Sequence, residues 1–223
     1  PHTLASEAGL KVLQEGGTAM EAAIAIGAVI AVTYPHFCGI GGDSVWIVAD
    51  RSGRKTTFMG IGQAPEKLPE FSGDKIPLRG AASTMTTACA VDAWRHGYEY
   101  SQKNWGGKKS FASLLDAAIG HAENGFPVTG SQLFWHDFRK DDLAKWPGFA
   151  EVFMPGGKRP QEGDSFVQKN LAASLKLIAQ NGARDFYEGE LAAKLAKGLA
   201  DVGSPLTAAD LKNTRTKEQE PGS

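Results

Sequence analysis

Three glycines fall within four positions in the stretch Tyr34-Pro35-His36-Phe37-Cys38-Gly39-Ile40-Gly41-Gly42-Asp43-Ser44. Glycine adopts backbone angles and permits close approaches that a Cβ forbids. Because Gly39, Gly41 and Gly42 lie between a helix pattern and a strand pattern, they indicate main chain that packs closely against a ligand, a second backbone or a partner chain. A nucleotide-phosphate cradle has its glycines after a strand and before a helix. The order here is the reverse, which argues against a nucleotide site.

An amphipathic helix is predicted well before this stretch. It covers Thr3 to Gly17, with Leu10 and Leu13 on its apolar side. The glycine pair at 16 and 17 is typical of a helix end, where one glycine adopts the left-handed conformation.

A second helix follows at once. Thr18 and Glu21 have the spacing of a capping box, and residues 22–32, AAIAIGAVIAV, are apolar on all sides. This run is too short to cross a bilayer, so we expect a central core helix and no membrane span. We also expect the helix to require a sheet from a second chain to bury it, since the sequence predicts few strands.

The remaining pattern predicts strands early and helices late, which is an α+β class. Residues 45–49 and 55–59 read as a β-hairpin. Residues 145–163 are predicted to be loop, and Ser165 with Gln168 is predicted to cap the helix that follows. The other predicted helices lie at 91–100, 110–124, 131–143, 171–181 and near 191–199.

Composition excludes several partners. With 24 basic and 25 acidic residues the formal net charge is −1, so neither nucleic acid nor anionic lipid is indicated as a partner. Cys38 and Cys89 are too few for a disulfide framework, and we expect both to be free, buried thiols. The five histidines lack metal-ligand spacing, so we expect neither a metal nor a cofactor.

Several motifs recur in the order of one known family. A helix, a glycine pair and an alanine-rich helix lead into Pro35-His36 and Gly39-Ile40-Gly41-Gly42; FMGIGQAPEKL at 58–68 and AVDAW at 90–94 follow. In these features the chain resembles the gamma-glutamyltranspeptidase family of N-terminal-nucleophile hydrolases. Further segments that are similar to the family lie at 124–128, 163–164, 171–178, 185–189 and 205–211.

The resemblance implies an αββα sandwich that a companion chain completes. Residues 1–223 would form a single domain piece, the N-terminal part of the large subunit, and self-cleavage would produce the small subunit. The nucleophile would be a threonine at the new N-terminus of that companion, so no catalytic residue is expected in this chain. A dimer of such heterodimers is one possible assembly.

The substrate-binding positions that the resemblance implies are Ile61, Gly62, Gln63 and Asp43, with Gly39, Gly41 and Gly42 as structural neighbours. Asp43 has an equally plausible purely structural role as a turn cap. Transpeptidases of the family place an arginine three residues before the Ala-Pro pair, where it holds the glutamyl α-carboxylate. Amidohydrolase- and acylase-like members often resemble G-x-G-R-A-P. Ile61 and Gln63 stand at these two positions, so both guanidinium groups are missing.

The glycine framework of residues 60–63 and Asp43 resemble the amidohydrolase- and acylase-like branch. The implied function is the large-subunit portion of a self-processing N-terminal-threonine amidase. It would hydrolyse or transfer a gamma-glutamyl or other short acyl group from a small-molecule amide. The alternative is a catalytically inactive paralogue that binds or scaffolds.

Overall fold

The computed structural model describes residues 2–70, 75–146 and 148–221. Part of the predicted connection at 63–79 therefore lies outside the described residues. The strands are β1 (Ser44–Ala49), β2 (Lys55–Gly60), β3 (Phe126–Pro127), β4 (Ser165–Phe166) and β5 (Lys217–Gln219). The α-helices are α1 (Thr3–Gln14), α2 (Ala19–Thr33), α3 (Ala90–Asn104), α4 (Phe111–Asn124), α5 (Gly130–Leu143), α6 (Phe149–Phe153), α7 (Lys169–Asn181), α8 (Asp185–Glu188), α9 (Glu190–Asp201) and α10 (Ala208–Asn213).

Helix α2 is the centre of the core, as predicted. The capping box of Thr18 and Glu21 begins it, and Ile24, Val29 and Val32 are completely buried. The prediction that α2 needs a sheet from another chain is wrong, because α1, α3 and α4 pack around it. Within the described residues, no helix is long and apolar enough to cross a membrane.

Helix α1 buries a different face from the one predicted. Leu10 is 54% exposed and Leu13 is 49% exposed, whereas the small residues Ala5 and Ala8 are buried. The reason is close approach to α2: a Cβ at Gly9 would lie 2.5 Å from the side chain of Ile26. Small residues allow this spacing, so the apolar stripe of leucines is not the packing face.

The predicted hairpin is confirmed and forms part of a larger sheet. The β1 and β2 strands pair antiparallel, with Ser44 opposite Gly60, and β5 adds to the other side of β2. Phe58 is completely buried beneath the sheet, against α3. On the opposite face Ile47 is 82% exposed and Val45 is 55% exposed. One face of the sheet is therefore covered by this chain's helices, and the apolar residues of the other face are open.

Two local predictions are wrong. Ser165 and Gln168 do not form a capping box, because Ser165 pairs with Pro127 between β3 and β4. Gln168 instead donates Nε2 to the carbonyl of Val32, 2.9 Å away, near the end of α2 where carbonyls lack helical partners. The predicted loop at 145–163 contains α6, which lies beside a turn of 3₁₀ helix at 155–157.

A buried carboxylate joins three distant segments. Asp92 in the first turn of α3 is 0% exposed, and its Oδ1 accepts hydrogen bonds from Arg95 Nε (2.9 Å) and Arg184 Nη1 (3.0 Å). Its Oδ2 accepts the main-chain N–H of Thr216 at 2.7 Å. Burial by itself would raise the pKa of Asp92, but the bonds from Arg95 and Thr216 outweigh it and hold the pKa below its ordinary value.

We predict that Asp92→Asn lowers the free energy of unfolding by about 3 kcal/mol or more, because two arginines lose their buried anion. Since the folded pKa is depressed, the stabilisation is present above the unfolded pKa of about 4 and is lost as pH falls through the folded value. Denaturant melts of both proteins from pH 7 to pH 3 measure this. Asp137→Asn, which breaks an exposed pair with Arg159, is the matched control. Equal, small effects of both substitutions would contradict the prediction.

We further predict that residues 1–223 purified alone self-associate, because the open β1–β2 face presents adjacent apolar side chains. Light scattering after size exclusion should show oligomers, and Val45→Thr with Ile47→Thr should shift the protein toward monomer. The control is Leu10→Thr with Leu13→Thr, which removes two exposed leucines from a helix. A cooperatively melting monomer, or an equal shift in the control, would contradict the prediction.

Candidate functional site

The predicted site residues lie where β1 begins and β2 ends. Because Ser44 is opposite Gly60, the segments that precede Ser44 and follow Gly60 leave the sheet at the same edge. Asp43 bridges them: its Oδ1 accepts the main-chain N–H of Gly62 at 2.8 Å. Asp43 therefore bonds a backbone N–H of the second segment and fixes the position of the loop at 61–63.

The main chain and the side chain of Gln63 are both hydrogen-bonded. Its main chain exchanges bonds with Thr87: the Gln63 N–H donates to Oγ1 at 3.1 Å, and the Thr87 N–H donates to the Gln63 carbonyl at 2.9 Å. The side-chain Oε1 accepts the N–H of Arg215 at 2.9 Å, and Nε2 donates to the carbonyl of Ile61. The amide thus ties β2 to the segment before β5.

The charged group of Arg215 bonds the end of α10 and not the loop at 61–63. The Arg215 guanidinium donates from Nη1 to the carbonyls of Lys212 (2.6 Å) and Thr214 (2.8 Å), at the end of α10. Ile61 is 41% exposed and provides an apolar side chain. Residues 60–63 therefore present an apolar and amide surface without a guanidinium.

Close backbone packing occurs at glycines other than those in the 39–42 run. A Cβ at Gly62 would lie 1.6 Å from the carbonyl oxygen of Thr87, and one at Gly60 would lie 2.6 Å from the carbonyl oxygen of Ser44. By contrast, a Cβ at Gly41 meets nothing within 4 Å among the described residues, and the nearest atom to one at Gly42 is 3.7 Å away. Within this part of the chain, Gly39, Gly41 and Gly42 are exposed rather than tightly packed.

The glycine run is nevertheless held in place through the carbonyl group of Gly42. The Gly42 carbonyl accepts the N–H groups of Cys89 and Ala90, both at 2.9 Å. These donors belong to the start of α3, where main-chain N–H groups lack helical partners. The run is thereby fixed against the same helix that carries Asp92.

Burial disfavours the thiolate form of both cysteines, so neither is an activated nucleophile. Cys89 is buried as expected, and burial raises its pKa to about 11. Cys38 is only half-buried, contrary to the prediction, and its pKa is also raised by partial burial. His36 bonds Ser131 Oγ through Nε2 at 3.0 Å. Among the described residues, no three His, Cys, Asp or Glu side chains converge as a metal site would require.

Comparisons with known proteins identify the family of this chain. A family model described as gamma-glutamyltranspeptidase matches residues 5–223. The chain belongs to the gamma-glutamyltranspeptidase family. The crystal structure of Helicobacter pylori gamma-glutamyltranspeptidase superposes with a TM-score of 0.90 at 31% identity, over 99% of this chain and 64% of that one. The α+β class is confirmed.

Two curated relatives fit the amidohydrolase- and acylase-like branch of the family. The chain is 38% identical to the oxamate amidohydrolase proenzyme of Klebsiella pneumoniae, over 99% of this chain and 42% of that protein. It is 39% identical to a glutathione hydrolase-like proenzyme of Bacillus subtilis, over 96% of this chain and 41% of that protein. The chain therefore spans about two fifths of the length of these relatives.

The sequence alone did not reveal the residues that support the loop. Thr87 Oγ1 accepts both the Gln63 N–H and the Thr214 hydroxyl, the latter at 2.7 Å. Thr214 lies 127 positions from Thr87 and is completely buried. Threonines at such separation show no spacing pattern, and the only hint was the β-branched, polar composition of residues 84–87.

We predict that Gly62→Ala lowers the melting temperature by several degrees, because its Cβ would displace the Thr87 carbonyl and with it the Gln63 bonds. Gly41→Ala, with open space around its Cβ, is the matched control and should melt like the parent protein. Thermal melts of the two variants measure the difference. If Gly41→Ala is as destabilising as Gly62→Ala, the assignment of close packing is wrong.

Proposed function

We propose that this chain is the large-subunit portion of a self-processing N-terminal-threonine amidase. The observation that carries the proposal is the loop at 61–63, held by Asp43 beside the glycine run, in a chain that belongs to this family from residue 5 to residue 223. A threonine of the companion chain attacks an amide carbonyl, its own α-amine takes the proton, and the amine product leaves. Water or another amine then releases the acyl group.

The open face of the sheet supports a companion chain. Val45 and Ile47 lie side by side on β1, opposite Met59 and Thr57 of β2, and none of the described helices covers them. A second sheet packed on this face would complete a sandwich whose outer layer is the α2–α3–α4 helices. Names of relatives as proenzymes are consistent with a processed partner.

Residues 60–63 contribute no cationic side chain to the acyl pocket that we propose, and Asp43, which holds this loop, is a carboxylate. Ile61 contributes apolar surface, and the Gln63 amide is occupied by Arg215 N–H and by the Ile61 carbonyl. A bidentate guanidinium–carboxylate contact contributes about 1.5–3 kcal/mol, or roughly ten- to a hundredfold in affinity. Short acyl groups without an α-carboxylate are therefore the preferred substrates, and hydrolysis is favoured over transfer between glutamyl compounds.

Processing gives the first test. The protein purified from its complete reading frame should separate into two polypeptides on a denaturing gel, and the smaller should begin with threonine by N-terminal sequencing. Substituting alanine for that threonine should abolish both cleavage and amidase activity. A single uncleaved polypeptide, or a small chain that begins with a residue lacking a hydroxyl or thiol, would favour the inactive paralogue instead.

Specificity gives the second test. The matched substrates are γ-glutamyl-4-nitroanilide and 4-aminobutyryl-4-nitroanilide, which differ only in the α-carboxylate. We expect the parent enzyme to have the higher kcat/KM with the second. Ile61→Arg should shift the ratio toward the γ-glutamyl compound by about tenfold, because its exposed position admits a guanidinium.

Two further variants separate charge from geometry. Ile61→Lys supplies the charge without the planar fork and should shift the ratio less than arginine does. Gln63→Arg should reduce activity with both substrates, because it removes the acceptor of the Arg215 N–H. A strong preference of the parent enzyme for the γ-glutamyl compound would show that another residue supplies the clamp.

A further inference from the structure

One concave site has a lining that does not include the loop at 61–63. It is a cavity of 370 Å³ between α5, α6 and the Pro35–Phe37 segment, and none of Asp43, Ile61, Gly62 or Gln63 lines it. This volume is at the small end of the roughly 300–1,000 Å³ typical of ligand pockets. We propose that the cavity binds a small organic anion with an aromatic body, its carboxylate held by Arg79 and Arg139.

Aromatic side chains form much of the wall of the cavity. Trp135 packs edge-on against Phe37, with ring centroids 5.1 Å apart, and Phe149 stacks with Phe153 at 5.2 Å. Rings fixed at these angles present both faces and edges to a planar guest. A flat aromatic group therefore fits this wall better than a flexible aliphatic chain.

Two buried polar atoms in the lining residues have no partner. Gln132 is 6% exposed, and its side-chain Oε1 makes no hydrogen bond within the described residues. The Nδ1 atom of His36 is buried and unpaired in the same sense, while Nε2 bonds Ser131. Of the two, His36 Nδ1 donates to a carboxylate when it carries the ring proton, whereas Gln132 Oε1 only accepts.

The charge at the cavity is positive. Arg79 and Arg139 line it, and among the described residues no Asp or Glu does. In the part of the chain that the structure describes, Asp142, outside the lining, is the anion that pairs with them: it lies 3.5 Å from Arg79 Nε and 3.9 Å from Arg139 Nη1, and it also pairs with Lys145 at 3.9 Å. One carboxylate thus faces three cations. The excess charge favours a carboxylate ligand, for which the guanidinium fork has matching geometry.

The neighbouring histidines do not alter this balance at neutral pH. Burial lowers the pKa of His36 and of His136, which also lines the cavity. Both rings are therefore uncharged hydrogen-bonding groups, and the two arginines carry the positive charge. This combination selects an aromatic acid over an aromatic cation or a simple inorganic anion.

The test uses the protein purified from its complete reading frame, with 3-phenylpropionate as the probe. Calorimetry and ligand-observed NMR should show binding at least tenfold tighter than that of 3-phenylpropanamide, which lacks the charge, or of propionate, which lacks the ring. Equal binding of the acid and its amide, or no detectable binding of the acid, would overturn the proposal.

Variants locate the site. Arg139→Gln should weaken binding of 3-phenylpropionate by tenfold or more. Lys140→Gln is the matched control, because Lys140 is the next residue of α5, carries the same charge and does not line the cavity. Arg79→Gln repeats the test from a second segment should the first variant unfold. Equal effects of the Arg139 and Lys140 substitutions would overturn the proposal. Since 3-phenylpropionate is not an amide, failure here leaves the proposed amidase activity untouched.

Discussion

The ionised carboxylate of Asp92 is the contact on which the rest of the arrangement depends. It is completely buried, yet Arg95, Arg184 and the Thr216 N–H surround it, so the cost of removing a charge from water is offset by charged hydrogen bonds. These donors come from α3, from the start of α8 and from the segment before β5. Without this anion, the Thr216 N–H and the two arginines would lose their shared acceptor, so the segment that carries Thr214 and Arg215 would be held less firmly beside Gln63.

The position of the loop at the end of β2 depends on Asp92 through a series of hydrogen bonds. Thr214 bonds Thr87, Thr87 bonds Gln63, and the Arg215 N–H bonds the Gln63 side chain. From the other side, Asp43 bonds Gly62. Glycine is needed at 62 because the Thr87 carbonyl occupies the space of a Cβ. The loop is therefore set by hydrogen bonds and by one close approach, and its surface is left free for recognition.

Much of the fold followed from local pattern. The capping box at Thr18, the apolar run after it and the hairpin at 44–60 depend on neighbours in sequence, and all three are confirmed. The wrong predictions for α1 and for Gln168 concern long-range packing. Leu10 and Leu13 are exposed because Gly9 brings α1 against α2, and Gln168 bonds the end of α2 rather than capping its own helix. Asp43 was predicted from the sequence as a candidate beside this loop, but Thr87 and Thr214 were not, since their pairing spans 127 positions.

The glycine run at 39–42 does not pack closely against the described part of its own chain, which leaves the ligand and the partner chain as the expected contacts. Its Cβ directions are open among the described residues, while the Gly42 carbonyl is fixed by two N–H groups of α3. A segment that is fixed in position but uncovered can bind a partner with little loss of conformational entropy. The same holds for the apolar face of β1 beside it. Both features border the loop at 61–63, so the surfaces left open by this chain meet at one edge of the sheet. A companion chain that covered β1 would therefore reach the same edge, which is where the proposed mechanism requires its threonine.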